Sequence, residues 1–299
     1  MSHHHNHINN YNRAFAIGIT LNIAFVIIEV IYGVIADSLA LIADAGHNLS
    51  DVATLLLAWG ANYLATKQST KNRTYGFRRV TILTSLISSI ILLVALGGIA
   101  WEALHRFSSP QPVDTTIVMV VAAIGVIINA ATALLFVSGQ KHDLNIRAAY
   151  LHMAADAGIS FGVVVAGIIM MLTGWLWIDA VLSLVIVVVI LIGTWSLFKE
   201  SFNLSIDAVP EGINTAAIHD YLINLENVSE VHDLHIWALS TTETALTAHL
   251  IVTDLTIDNI FLQRIQQHLH NHFGIEHITI QVEHDSDLNL CILNRPECI

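Results

Sequence analysis

The sequence predicts an all-α membrane bundle of six helices followed by a small, water-facing α+β domain. Three observations carry that expectation. The 299 residues are 55% apolar and only 12% charged, with a mean hydropathy of +0.65. Six apolar runs, near 14–36, 39–64, 82–105, 113–138, 148–172 and 176–198, each reach the ~20 residues that a helix needs to cross a bilayer. The acidic excess lies elsewhere: residues 1–200 hold ten Lys/Arg and ten Asp/Glu, whereas 201–299 hold two and fourteen, with nine of the seventeen histidines. An acidic, His-rich segment is a poor ligand for nucleic acid and a good one for divalent cations, although acidic residues also serve solubility alone.

The chain opens with Met-Ser-His-His-His-Asn-His and has no secretory n-region. The tract reads either as a cloning tag or as a native metal-contacting tail over 1–12. The first apolar run carries Asn22 and Glu29, which should face the bundle interior. Asp37 and Ser38 then make an outer turn, with Ser38 as N-cap of the second helix. That helix carries Asp44, His47 and Asp51. Residues 66–79 form a cationic loop with Lys67, Lys71, Arg73, Arg78 and Arg79, unsuited to a metal ion. Pro110 and Pro112 mark the next outer loop. The fourth run has Asn129 inside it and small residues such as Ala130 and Ala133 that permit close packing. The fifth carries His152 and Asp156. Thr173-Gly174 leaves almost no loop before Trp175 and Trp177, aromatics suited to the membrane interface. All the short-loop basic residues but Arg106 then fall on one side, which puts both termini in the cytoplasm by the positive-inside rule.

His47-xxx-Asp51 and His152-xxx-Asp156 hold the chemistry. Four residues is just over one helical turn, so each His and Asp share a face. Each Asp could simply pair with its own His, but the apolar helices offer no Lys or Arg at that depth, and charge there is costly unless it serves a site. Two imidazoles and two carboxylates make a tetrahedral set suited to Zn²⁺. Metal and protons compete for the same atoms, so proton movement can be coupled to metal movement.

After Pro210 the pattern reads helix 213–225, strands 231–239 and 244–253, helix 259–272 ended by Gly274, and strand 276–283. This αββαβ order suggests a ferredoxin-like sandwich. His232 and His235 are three apart on a strand and should point to opposite faces unless a bulge intervenes. His268 and His272 share a helix face and read as surface residues. Cys291 and Cys298 lie in the tail, where a reducing compartment favours thiolate ligation over a disulfide.

The segments Ser38-Leu-Ala-Leu-Ile-Ala-Asp-Ala-Gly-His47-Asn-Leu-Ser-Asp51, Ala149-Tyr150-Leu151-His152-Met-Ala-Ala-Asp156 and Val231-His232-Asp-Leu-His235-Ile-Trp237 resemble the cation diffusion facilitator family of zinc transporters. The resemblance covers almost the whole chain. It implies a homodimeric Zn²⁺/H⁺ antiporter in a lipid bilayer that alternates between inward- and outward-facing states, with His47, Asp51, His152 and Asp156 as the transport site. It further implies zinc selectivity from the His at position 47, and no enzymatic activity. It implies regulatory zinc in the cytoplasmic domain on His232, His249 and Glu283, with His277, Cys291 and Cys298 as further candidates and a partner's N-terminal histidines as contributors. The two cysteines depart from the compact Cys-x-x-Cys form. The loop after the second helix lacks the Asp and His with which some bacterial members bind another metal, so no metal is expected there. The family's dimer-stabilising contact would map to Arg79 and Asp207; Thr81 stands where many members have an acidic residue.

The expected organisation is therefore a tail over 1–12, a transmembrane domain over 13–207 and a cytoplasmic metal-binding and dimerisation domain over 208–299, in a bacterial inner membrane. The competing readings are a membrane-anchored metal sensor, which leaves the paired membrane residues without a purpose, and an intramembrane metalloenzyme, for which no His-Glu-x-x-His signature is present.

Overall fold

The computed structural model describes the backbone of residues 8–65, 67, 69–109, 111–137, 144–253 and 259–284; the side chains of 8–19, 51, 53–62, 65, 136, 144–149 and 284 fall outside the description. Six long helices come first: α1 (Ile8–Ile35), α2 (Leu39–Ala65), α3 (Val80–Ser108), α4 (Thr115–Phe136), α5 (Leu144–Thr173) and α6 (Trp177–Ser205). The observed α6 runs seven residues past the apolar stretch, because Lys199 to Ser205 continue a good helical sequence after hydrophobicity ends. Four of the described helices, within α3, α4, α5 and α6, are long and apolar enough to span a membrane, and Thr20–Ile35 is a shorter apolar helix.

The chain divides into two compact units, residues 1–56 with 88–196, and 57–87 with 197–299. The first unit is built inside out relative to a water-soluble protein. Trp101, Leu172 and Ile192 are among its most exposed side chains, while Glu29, Asp44, Asn129, Asp156 and Ser160 are buried. A solvent of hydrocarbon accounts for both.

The turn between α1 and α2 is pinned by charge. Asp37 takes a left-handed φ of 52°, and Arg106 donates to its carbonyl at 2.6 Å and to its carboxylate at 2.7 Å. Ser38 caps α2 as expected, its Oγ accepting from Leu41 N. The sequence did not show that Asp179 of α6 completes the cap: it accepts from Ser38 Oγ at 2.5 Å and from Leu39 N at 2.9 Å, satisfying donors that α2 itself leaves open. Close helix contact rests on glycine at one crossing: a Cβ on Gly125 of α4 would stand 2.5 Å from Phe25 Cζ of α1 and 3.0 Å from Ser160 Oγ of α5.

In the second unit, α7 (Thr215–Ile223), β1 (Val228–Ala238), β2 (Thr244–Val252), α8 (Asn259–Phe273) and β3 (His277–His284) follow the expected order. The sheet order is β1-β2-β3, with β1 and β2 antiparallel and β2 and β3 parallel. Parallel pairing requires a crossover, which α8 supplies. Ile218 and Leu222 of α7 and Ile265 and Leu269 of α8 share one core with Leu246, Ala248 and Leu250 of β2. Gly274, at φ 66°, ends α8 in the conformation that favours glycine.

The same unit contains the start of α3 and the end of α6. Ile82, Leu204 and Ala238 form a small cluster, Thr81 Oγ1 accepts from Thr241 N at 3.1 Å, and Arg78 meets Glu243 at 2.8 Å. Arg79 and Asp207 are also ion-paired. Both of those side chains are about half exposed, so the pair adds little to stability.

Candidate metal centres

The first centre lies between α2 and α5. His47 Nε2 is 3.4 Å from Asp156 Oδ1, and His152 Nε2 is 3.7 Å from Asp156 Oδ2. The two imidazoles face each other edge-on with centroids 6.0 Å apart. Ligands at about 2.0–2.2 Å from a tetrahedral ion stand roughly 3.3–3.5 Å from one another, so these separations fit a shared ion better than direct hydrogen bonds. Asp156 is 1% exposed, and among the described residues neither of its oxygens has a hydrogen-bond donor. A buried carboxylate without donors is expensive, and a divalent cation would relieve that cost. The side chain of Asp51 is outside the described residues.

Around this group runs a buried polar seam. Asn48 Nδ2 donates to Glu29 Oε2 of α1 at 3.1 Å, and Ser160 Oγ donates to Asp44 Oδ2 at 3.2 Å. Asp44 therefore ties α2 to α5. Sequence reasoning put Asp44 on the same helix as His47 but missed Asn48 and Ser160. Ser160 was findable, since it sits four residues after Asp156 on the same helical face.

The second centre lies on the sheet of the second unit. His232 and His249 are register partners across β1 and β2, and Glu283 of β3 lies on a diagonal, its register partner being Ile251. One ligand atom from each of His232, His249 and Glu283 lies within 4.8 Å of the other two. His249 Nδ1 is 2.8 Å from Glu283 Oε1 and His232 Nε2 is 3.5 Å from Glu283 Oε2. His249 Nδ1 is buried and makes no hydrogen bond among the described residues, although at 2.8 Å it stands closer to Glu283 than two ligands of one tetrahedral ion would. The donor set, two borderline nitrogens and one carboxylate, fits zinc with a fourth position left for another group.

The other candidates are not brought to this point. His277 stands at the opposite end of β3, paired in register with Ala245, against Gln281 for His249; six residues of strand put it about 20 Å from Glu283. It meets the Tyr75 ring edge-on instead, at 5.3 Å. Cys291, Cys298 and the His-rich tail lie outside the described residues. The proviso on His235 is realised: between the pairs His232–His249 and His235–Thr247, two residues of β1, Asp233 and Leu234, oppose one of β2, Ala248. This bulge changes the alternation of faces, yet His235 contacts Asp233 rather than the trio.

His268 and His272 share a face as expected and lie side by side, ring centroids 4.2 Å apart, with Tyr221 stacked on His268 at 3.9 Å. Packing against this surface, reinforced by the neighbouring His272, lowers the pKa of His268.

Comparison with known proteins shows the family. The profile of cation efflux transmembrane domains matches residues 15–204, and that of cation efflux cytoplasmic domains matches 210–285. The chain belongs to the cation efflux, or cation diffusion facilitator, family. Members of this family are transporters and not enzymes, and its cytoplasmic-domain profile is one of dimerisation. A cadmium, cobalt and zinc/H⁺-K⁺ antiporter of Bacillus subtilis is 37% identical, over 95% of this chain and 92% of its own. The metal cation efflux system protein CzcD of Cupriavidus metallidurans is 36% identical, over 94% and 89%. The zinc transporter ZitB of Escherichia coli is 34% identical, over 95% and 93%. A solved metal-bound C-terminal domain of the Cupriavidus CzcD matches 24% of this chain and 99% of its own at 33% identity, with a TM-score of 0.22. Membership agrees with a multi-pass membrane protein and with metal ions as cargo.

Proposed function

We propose that the protein exports Zn²⁺ from the cytoplasm in exchange for H⁺ by alternating access, using His47, Asp51, His152 and Asp156 as one four-ligand site between α2 and α5. The observation that carries this is Asp156, buried, without donors among the described residues, and flanked by two imidazole nitrogens from two helices. The relatives named for zinc support zinc as cargo.

Charge supplies the coupling. Two carboxylates and two neutral imidazoles carry a net charge of −2, so one Zn²⁺ neutralises the site and so do two protons. States with uncompensated charge in the bundle interior are disfavoured, so ion and protons replace one another. The ligands bind metal only when deprotonated. Release on the outer side is therefore driven by protonation, and the protonated site returns inward.

All six helices span the membrane in this reading, with both termini in the cytoplasm of a bacterial cell. The domain limits are 1–12, 13–207 and 208–299. The ferredoxin-like domain pairs two copies of the chain, with Arg79 and Asp207 steadying the dimer near the membrane surface. His232, His249 and Glu283 bind regulatory Zn²⁺ there, while His277 is left out of the ligand set. Cys291, Cys298 and the N-terminal histidines of a second copy are available for the remaining position.

Reconstituted vesicles test the proposal. A pH gradient alone should drive Zn²⁺ uptake, and Asp51→Ala and Asp156→Ala should each abolish it. Flux that requires a K⁺ gradient and ignores pH, in keeping with the H⁺-K⁺ naming of the Bacillus relative, would overturn H⁺ as the counter-ion. Metal binding without flux would favour a sensor.

A further inference from the structure

We propose that Asp233 is the positioning carboxylate of the cytoplasmic metal centre, fixing His249 through the ring nitrogen turned away from the ion; this rests on the reading of His232, His249 and Glu283 as that centre. His249 has a carboxylate at each nitrogen. Its Nδ1 is 2.8 Å from Glu283 Oε1 and its Nε2 is 3.5 Å from Asp233 Oδ2. With Nδ1 committed to the ion, the imidazole proton resides on Nε2 and points to Asp233. Asp233 is itself held, its Oδ1 accepting from His235 Nε2 at 2.8 Å. The chain His235–Asp233–His249–ion is the arrangement by which metal-bound imidazoles are oriented and made more basic.

The backbone is shaped for this role. In a regular strand Asp233 would point to the face opposite His232. The irregularity between His232 and His235 breaks that alternation, and Asp233 adopts a left-handed φ of 52°. Such a conformation is costly for most residues, tolerated by Asp and Asn, and concentrates at functional sites. Its result is a second carboxylate beside two imidazoles, only 15% exposed. Glu283 and Asp233 together then balance the charge of one divalent ion. Asp233 stays outside the ligand trio, and His235 takes its role through Asp233.

The test uses the full-length protein in detergent with Asp156→Ala silencing the membrane site, and Zn²⁺ alone as probe against a competing chelator. Asp233→Asn tolerates the left-handed backbone and removes only the charge. It is expected to weaken Zn²⁺ binding about 10–100-fold, with the metal-free melting temperature unchanged. The Co²⁺ ligand-field spectrum at saturation should also be unchanged, since no ligand is lost. Affinity within about twofold of the parent overturns the proposal, and so does an altered Co²⁺ spectrum, which would make Asp233 a ligand. If His249→Ala leaves Zn²⁺ binding untouched, the cytoplasmic centre itself fails, an outcome distinct from either.

Discussion

Replacing Asp156 by Asn separates stability from function. The side chain is 1% exposed, neither oxygen has a donor among the described residues, and its partners are two imidazole nitrogens at 3.4 and 3.7 Å. Four-ligand zinc sites bind with about 10–16 kcal/mol. Shared evenly, one ligand contributes about 2.5–4 kcal/mol, or roughly 10²–10³-fold in affinity. Losing the carboxylate also removes a charge that both His47 and His152 face. Asp156→Asn should therefore lower Zn²⁺ affinity at this site by at least about 100-fold and bring vesicle flux to background. In the metal-free protein protons take the place of the ion, and the same change replaces a buried carboxyl group by an amide of equal shape. The melting temperature in detergent should therefore stay level. The assay pairs a thermal melt without metal with pH-driven Zn²⁺ uptake read by an internal dye. Flux within about twofold of wild type, or a melting temperature lowered by several degrees, would refute the assignment of Asp156 as a ligand held ready for an ion.

Four further outcomes follow from the geometry. His47→Asp should raise the Cd²⁺ to Zn²⁺ flux ratio, because a carboxylate can bind through two oxygens and so serve a larger ion that takes more ligands; unchanged discrimination would remove His47 from selectivity. Gly125→Ala places a Cβ 2.5 Å from Phe25 Cζ and should cost about 1–3 kcal/mol by overpacking, read as a lower melting temperature with Zn²⁺ affinity retained. With the membrane site silenced by Asp156→Ala, chelation should lower the melting temperature, and adding His249→Ala should remove that effect, since only a folded site gains stability from bound metal. His268 has a lowered folded-state pKa, so the unfolded chain takes up its proton first as pH falls. Its contribution is intact above the ordinary value near 6.5 and is lost as pH drops through that value towards the lowered one. His268→Gln should thus flatten the fall in melting temperature between about pH 7 and 5.

Much of this was legible in the sequence because the membrane imposes a strong pattern. Apolar runs located the six helices to within a few residues, except where α1 and α6 extend into polar sequence that hydrophobicity does not mark. The His/Asp spacing named His47, His152 and Asp156 because a helix fixes which residues share a face. Contacts between distant elements were not legible. Asp179 gave no sign that it caps α2, and the Asn48–Glu29 and Ser160–Asp44 bonds depend on how three helices are rotated. In the sheet, His232 and His249 were expected from the family resemblance and not from geometry, and the register irregularity that re-aims Asp233 has no glycine to announce it. His277 failed as a candidate for a simple reason: parallel pairing sets it at the wrong end of β3.

X-ray absorption at the zinc edge tests the central claim most directly. With His249→Ala silencing the cytoplasmic centre, the full-length protein should hold one Zn²⁺ per chain in a shell of two nitrogens and two oxygens at about 2.0–2.2 Å, and Asp156→Ala should empty it. A shell containing sulfur, or one that survives Asp156→Ala unchanged, would contradict a single site shared by α2 and α5.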